Sequence, residues 1–191
     1  MGFLSNLFGG NKEDKALREA MAHIHRILDD EQFQLELVHP AMKAMLESAP
    51  AYDKDPNGTG PFGFTETNPI PVNGPIGQLA YLSRLETQSG QRILFHRLGA
   101  IGTVDVFEAV SFNGAEWFIL FVDLYHPRRS RLTPDSFRFT KDVAQFSGFH
   151  KFCENFSYDF VEKKASQRES GLSMAYIAIS KVSDQIQNRV F

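Results

Sequence analysis

Apolar residues recur at helical spacing near the start of the chain. Leu17, Ala20, Met21, Ile24, Ile27 and Leu28 fall three or four apart and predict an amphipathic helix over residues 13–29. Glu13 and Asp14 stand at the end where the helix dipole favours negative charge. The register continues through Leu35, Val38, Met42, Met45 and Leu46. Pro40 interrupts it, because proline lacks the amide donor and clashes with the preceding turn. The pattern predicts helix to about residue 38 and another turn or two beyond Pro40, with Asp29-Asp30-Glu31 placed to cap a second helix. A helical hairpin and one kinked helix both fit.

From residue 78 the pattern changes to that of strands. Residues 79–85 and 92–98 read as two of them, and 104–111 as a third, after a turn at Gly99-Ala100-Ile101-Gly102. Asn113-Gly114 is a strong short hairpin signal. Residues 117–125 follow it and are apolar at successive positions (Trp117, Phe118, Ile119, Leu120, Phe121, Val122), as in a central strand covered on both sides. Short turns between consecutive strands imply an antiparallel meander. Residues 127–145 look irregular. The aromatic run Phe146, Phe149, Phe152, Phe156, Tyr158 and Phe160 partly fits a helix on the sheet, with a last strand over 172–180 and a short terminal helix carrying Val182, Ile186 and Val190. The expected class is α+β: N-terminal amphipathic helices, then a largely antiparallel sheet of about five strands, with C-terminal helical packing.

Residues 50–77 break this pattern. Eleven of these twenty-eight residues are Pro or Gly, including six of the nine prolines. A loop of that length is usually functional or a linker. Its second half, 68–77, is apolar at every other step and reads as an extended segment with a turn at Val72-Asn73-Gly74-Pro75. A strap covering a sheet edge is favoured over a rigid binding loop. The organisation expected is a flexible apolar leader over 1–11, a helical segment over 12–49, the strap over 50–77 and the sheet with its packing helices over 78–191. At 191 residues, 12–191 is expected to form one domain.

The formal net charge of −3 argues against a nucleic-acid partner, which calls for a domain-wide basic field. Charge is nevertheless uneven: residues 12–66 hold 6 Lys/Arg against 11 Asp/Glu, and residues 123–141 hold 5 against 2. The single cysteine, Cys153, excludes an intramolecular disulfide. Phenylalanines surround it and suggest a buried structural role, although His150 is near enough to raise the question of a nucleophile. His23 and His25 are two apart on a helix and do not face one ligand. No signal peptide, spanning segment or myristoylation pattern is recognisable, so the expected compartment is the cytoplasm. Phe3, Leu4, Leu7 and Phe8, followed by Gly9-Gly10, are suited to weak membrane or partner docking through residues 1–10.

Phosphate loops, dinucleotide fingerprints, zinc-protease motifs and nucleophile elbows are not found in the sequence, and no cofactor or metal is implied. The best candidate for chemistry is the run from Asp123 to Arg131. A carboxylate at the end of an apolar strand is costly to bury unless paired. Asp123, Tyr125, His126, Arg128 and Arg129 therefore form a candidate anion-binding group, the arginines offering planar forks to phosphate or carboxylate. Strand alternation puts Asp123 and Tyr125 on one face and His126 on the other. If Ser111 pairs with Glu116, Asp105 comes near Asp123, and an Asp105/Asp123 pair beside His126 would suit Mg²⁺ or acid–base work. Glu108 shares the strand of Asp105, and His96-Arg97 would approach the same edge. A structural Asp–Arg–Tyr network anchoring the loop after 126 is the favoured reading. Weighing these, the sequence points to a binding or adaptor module without catalysis, whose partner is a protein or a small anionic ligand. The alternative is an enzyme or binding protein for a phosphorylated or carboxylated small molecule.

Overall fold

The computed structural model describes residues 22–140, with Lys15, Arg18 and Glu19 and the backbone of Gly148–Phe149. The protein is α+β. Residues 22–29 form α1, followed by α2 (Glu31–Glu36), α3 (Pro40–Ser48), β1 (Ile70–Pro71), α4 (Gly74–Ser83), β2 (Leu85–Thr87), β3 (Ile93–Ile101), β4 (Val104–Ser111), β5 (Trp117–Asp123), β6 (Phe137–Phe139) and β7 (Gly148–Phe149). The main sheet has the order β1-β5-β4-β3-β7 and is antiparallel through β5-β4-β3, with a parallel strand at each flank. A second sheet pairs β2 with β6. Among the described residues no helix is long and apolar enough to cross a membrane.

The N-terminal helices follow the apolar stripe. Leu28 is fully buried against Ala80, with Ile24 and Ile27 beside it. Asp30 ends α1 and begins α2, its carboxylate accepting the amide of Phe33 at 2.9 Å. Two buried amides then tie these helices to α4. The Nε2 of Gln34 donates to the carbonyls of Ile27 (2.7 Å) and Leu28 (3.3 Å), and the Nδ2 of Asn73 donates to Gln34 Oε1 at 2.9 Å.

The segment 79–85 is not a strand. Residues 74–83 are helical, and the signals taken for a turn are the start of that helix: Asn73 precedes it, Gly74 has φ +77° and Pro75 sits in the first turn, where its missing donor is harmless. The misreading has a simple origin. Ile76, Gln78, Ala80, Tyr81, Leu82 and Ser83 are all buried, so the helix has no polar face and no stripe for a periodicity argument to find.

The turn placed at 99–102 also moves. A register shift between Arg97 and Gly99 absorbs one residue, β3 continues to Ile101, and Gly102-Thr103 make a two-residue turn opened by the positive φ of Gly102. The second hairpin keeps the expected register. The amide of Ser111 donates to Glu116 at 2.9 Å, and Asp105 pairs with Val122. β5 is flanked by β4 and β1 but is not covered throughout, since Trp117 is 54% exposed. The region expected to be irregular, 127–145, contains β6. Gly148–Phe149 is strand rather than helix, and the rest of the expected C-terminal packing lies outside the described residues.

The Pro/Gly-rich segment runs along the outer edge of β5. Phe121 donates to the carbonyl of Gly63 at 2.9 Å, and Val72 to that of Asp123 at 2.8 Å. Its Phe62 and Phe64 pack onto the core of Ile70, Tyr81, Phe95, Phe107, Leu120 and Phe137. That core occupies one face of the sheet, and α4 is the helix over it.

The amide relay gives a direct test. Gln34→Ala removes the side-chain donor to the Ile27 carbonyl and the closer acceptor of the Asn73 amide, and is expected to cost about 2 kcal/mol in urea unfolding. Gly77→Ala is expected to be destabilising by a similar route, because a Cβ there would lie 2.0 Å from Asn73 Oδ1 and push that side chain off Gln34. Since both act on one relay, the double variant should lose less than the sum.

Candidate functional site

The loop after β5 is fastened at three points. Its first fastening is a turn in which Asp123 Oδ1 accepts the amide of Tyr125 at 3.1 Å. That turn ends the strand alternation and brings His126 back over Asp123, with Nε2 3.1 Å from Asp123 Oδ2. The other ring nitrogen, Nδ1, is 3.0 Å from the carbonyl of Pro50, and Tyr52 packs on the ring at 4.7 Å between centroids. Both ring nitrogens thus face acceptors, which suits the doubly protonated imidazolium. Burial alone would lower the His126 pKa. The Asp123 and Pro50 hydrogen bonds, with the charges of Asp123 and Asp55, outweigh it and hold the pKa above the usual 6.5.

The two arginines make the other fastenings. Arg128 donates to Asp53 Oδ1, which also accepts the amide of Arg131 at 2.8 Å, and the Arg128 hydrogen bond holds the Asp53 carboxyl below its usual range despite partial burial. Ser130 adds a 2.6 Å bond to the Asp53 carbonyl. Arg129 meets Glu31 Oε1 through both its backbone amide and Nε, each at 3.1 Å. Its guanidinium also reaches the carbonyls of Leu28 (2.7 Å) and Asp29 (3.3 Å) at the end of α1. Arg128 and Arg129 are therefore turned to separate carboxylates, not held side by side for one anion.

Asp105 and Asp123 do not meet. The register pairs Asp105 with Val122 and Val104 with Asp123, so the two carboxylates project from opposite faces of the sheet. On the face opposite the core, His96 Nε2 lies 2.6 Å from Glu108 Oε2, and Glu108 Oε1 accepts the indole N–H of Trp117 at 2.6 Å. Among the described residues, no three His, Cys, Asp or Glu side chains converge as metal ligands. Cys153 and His150, and the leader 1–10, lie outside the described residues.

The core face ends in a different group. Here the apolar row of Phe95 and Phe107 gives way to Arg97 and Asp105. Arg97 Nη2 donates to Asp105 Oδ1 at 2.6 Å, and Gln78 of α4 donates to Asp105 Oδ2 at 3.2 Å. The hydrogen bond to Asp105, opposed by burial and reinforced by its charge, holds the Arg97 proton more firmly than usual. Asp105 is nearly buried, whereas the Arg97 side chain is 45% exposed. The pair forms one wall of a cleft of about 360 Å³ between the tip of the β3–β4 hairpin and helices α3 and α4. Met42, Leu79, Phe107 and Leu124 supply apolar surface, and Tyr125 lines the cleft beside Leu124.

Of the residues singled out from sequence, the structure therefore joins Asp123 to His126 and places Arg97, Asp105 and Tyr125 around one cleft. His96, Arg128 and Arg129 belong to separate contacts. Gln78 was not anticipated, although a lone amide inside the apolar run 76–82 is itself a sign of a buried partner. Glu31 and Asp53 gave no local sign, since their arginine partners lie 98 and 75 positions away. No protein family, curated protein or solved structure matches this chain.

Two outcomes follow from the loop. The raised His126 pKa means its stabilisation is complete below the ordinary value of 6.5 and is lost as pH rises through the higher folded-state value. Urea unfolding measured across that range should show stability falling with rising pH, and His126→Gln should remove this part of the slope. Arg129→Ala, which removes the guanidinium from Glu31 and from the carbonyls of Leu28 and Asp29, is expected to cost about 2 kcal/mol and more than Arg128→Ala, read by the same unfolding curves.

Proposed function

We propose that the protein is a binding module without catalysis and that the cleft beside Arg97 is its recognition site. The observation carrying this reading is a half-exposed Arg97 side chain, fixed by a nearly buried carboxylate, in the wall of a partly apolar cleft. The cleft's size falls within the range of small-ligand sites, and a few placed polar groups on apolar walls are what such sites use for orientation. The engagement of Arg128 with Asp53 and Arg129 with Glu31 weighs against an anion grip in the loop after β5. For His126, both ring nitrogens are occupied and the ring is only 4% exposed, which weighs against proton transfer to a substrate. A cytoplasmic setting is part of the same proposal and is supported by the single cysteine.

The test is an NMR screen of small organic ligands and short peptides against ¹⁵N-labelled protein. Hits are expected to perturb Gln78, Arg97, Leu124 and Tyr125, and to bind at least tenfold more weakly to Arg97→Gln and Met42→Gln. Hits that gather elsewhere, or that both variants leave unchanged, would remove the cleft from consideration.

A further inference from the structure

We infer that the cleft takes the backbone amide of a polypeptide partner, with one apolar side chain lodged against Met42, Leu79 and Leu124, rather than a free anion. This rests on reading the cleft as the recognition site. Its basis is the charge balance of the wall. Arg97 is paired with Asp105 at 2.6 Å, so the wall carries one positive and one negative charge and no net attraction for an anion. Asp105 is not free to swing aside, because Gln78 holds its second oxygen at 3.2 Å and only 6% of the residue is exposed. A phosphate or carboxylate approaching Arg97 would meet the Asp105 carboxylate next to the guanidinium, and repulsion would offset most of the gain.

What the pair does present is a donor and an acceptor side by side. A guanidinium has five N–H donors, and a carboxylate accepts at about four lone-pair sites. Asp105 is seen to accept one bond at each oxygen, which leaves capacity on both partners. A peptide group, with one N–H and one C=O, matches that arrangement, whereas a carboxylate ion supplies acceptors only. The rim favours an extended chain. A Cβ built at Gly102, which lines the cleft, would find nothing within 4 Å, so a backbone can approach the hairpin tip closely.

The experiment compares N-acetyl-leucinamide with N-acetyl-leucine, which share the apolar side chain and differ at the terminal amide or carboxylate. Both are titrated into ¹⁵N-labelled protein near neutral pH. The amide is expected to saturate shifts at Gln78, Arg97, Leu124 and Tyr125 and to bind at least fivefold more tightly than the carboxylate. Asp105→Asn, which leaves the guanidinium unbalanced, should reverse that order. Arg97→Gln, which removes the cation and keeps a hydrogen-bonding group, should weaken both ligands and serves if the Asp105 variant does not fold. Equal binding, or tighter binding of the carboxylate to wild type, would overturn the inference while leaving the cleft as a recognition site. Failure of both ligands to move the cleft resonances, when other ligands from the screen do move them, would also overturn it. Failure of every ligand there would take the parent reading with it.

Discussion

The break between α1 and α2 at Asp30 sets the condition that the rest of the structure has to meet. A helix that stops leaves its last carbonyls without intrahelical donors, and these must be satisfied if they are not to face the interior unpaired. Here the carbonyls of Ile27 and Leu28 are taken by the amide of Gln34, and those of Leu28 and Asp29 by the guanidinium of Arg129. Arg84 adds an ion pair to the Asp29 side chain. One partner comes from the next helix, another from the end of α4, and the third from a loop beyond the sheet. The end of a single helix is thus where the next helix and two remote parts of the chain are obliged to meet.

That loop owes its path to the residues that flank it. Asp123 turns the chain out of β5, His126 ties it to Pro50, Arg128 ties it to Asp53, and Arg129 carries it to α1 and α2. Tyr81 contributes from below, its hydroxyl donating to the carbonyl of Leu132 at 2.6 Å. The same path positions Leu124 and Tyr125 at the cleft. The basic run, for which the sequence favours a structural network over an anion grip, is engaged as a clamp on Asp53 and Glu31, and the cleft it helps to shape carries its charge on Arg97 and Asp105.

What was legible from sequence follows the range of the interactions. The stripe of Ile24, Ile27 and Leu28, the cap at Asp30 and the register set by Asn113-Gly114 are decided by neighbours a few residues away or across one turn, and they come out as read. α4 is lost because uniform burial erases its period. The turn after β3 is misplaced because a bulge is a one-residue accommodation with no compositional mark beyond Gly99. The partners of the candidate residues are not legible in the sequence. Charge type shows that an arginine needs a carboxylate; it does not show that Arg129 finds Glu31 and Arg128 finds Asp53. The parity that parts Asp105 from Asp123 was within reach, since a correct register with alternating faces already implies it.

The long separation between the α1 carbonyls and Arg129 has a consequence for how the chain is made. The contact from Arg129 to Leu28 spans 101 positions. At ordinary rates of synthesis, roughly 5–20 residues per second, α1 and α2 wait on the order of ten seconds before that donor leaves the ribosome. Helices this short have little stability alone in water. For about the first half of that interval the hydrophobic face of Ile24, Ile27 and Leu28 lacks Ala80 to cover it, and for all of it the helix lacks an arginine to finish its end. α1 and α2 are therefore made well before the arginine that secures them, so the nascent chain gains from being kept from associating through that face until Arg129 arrives.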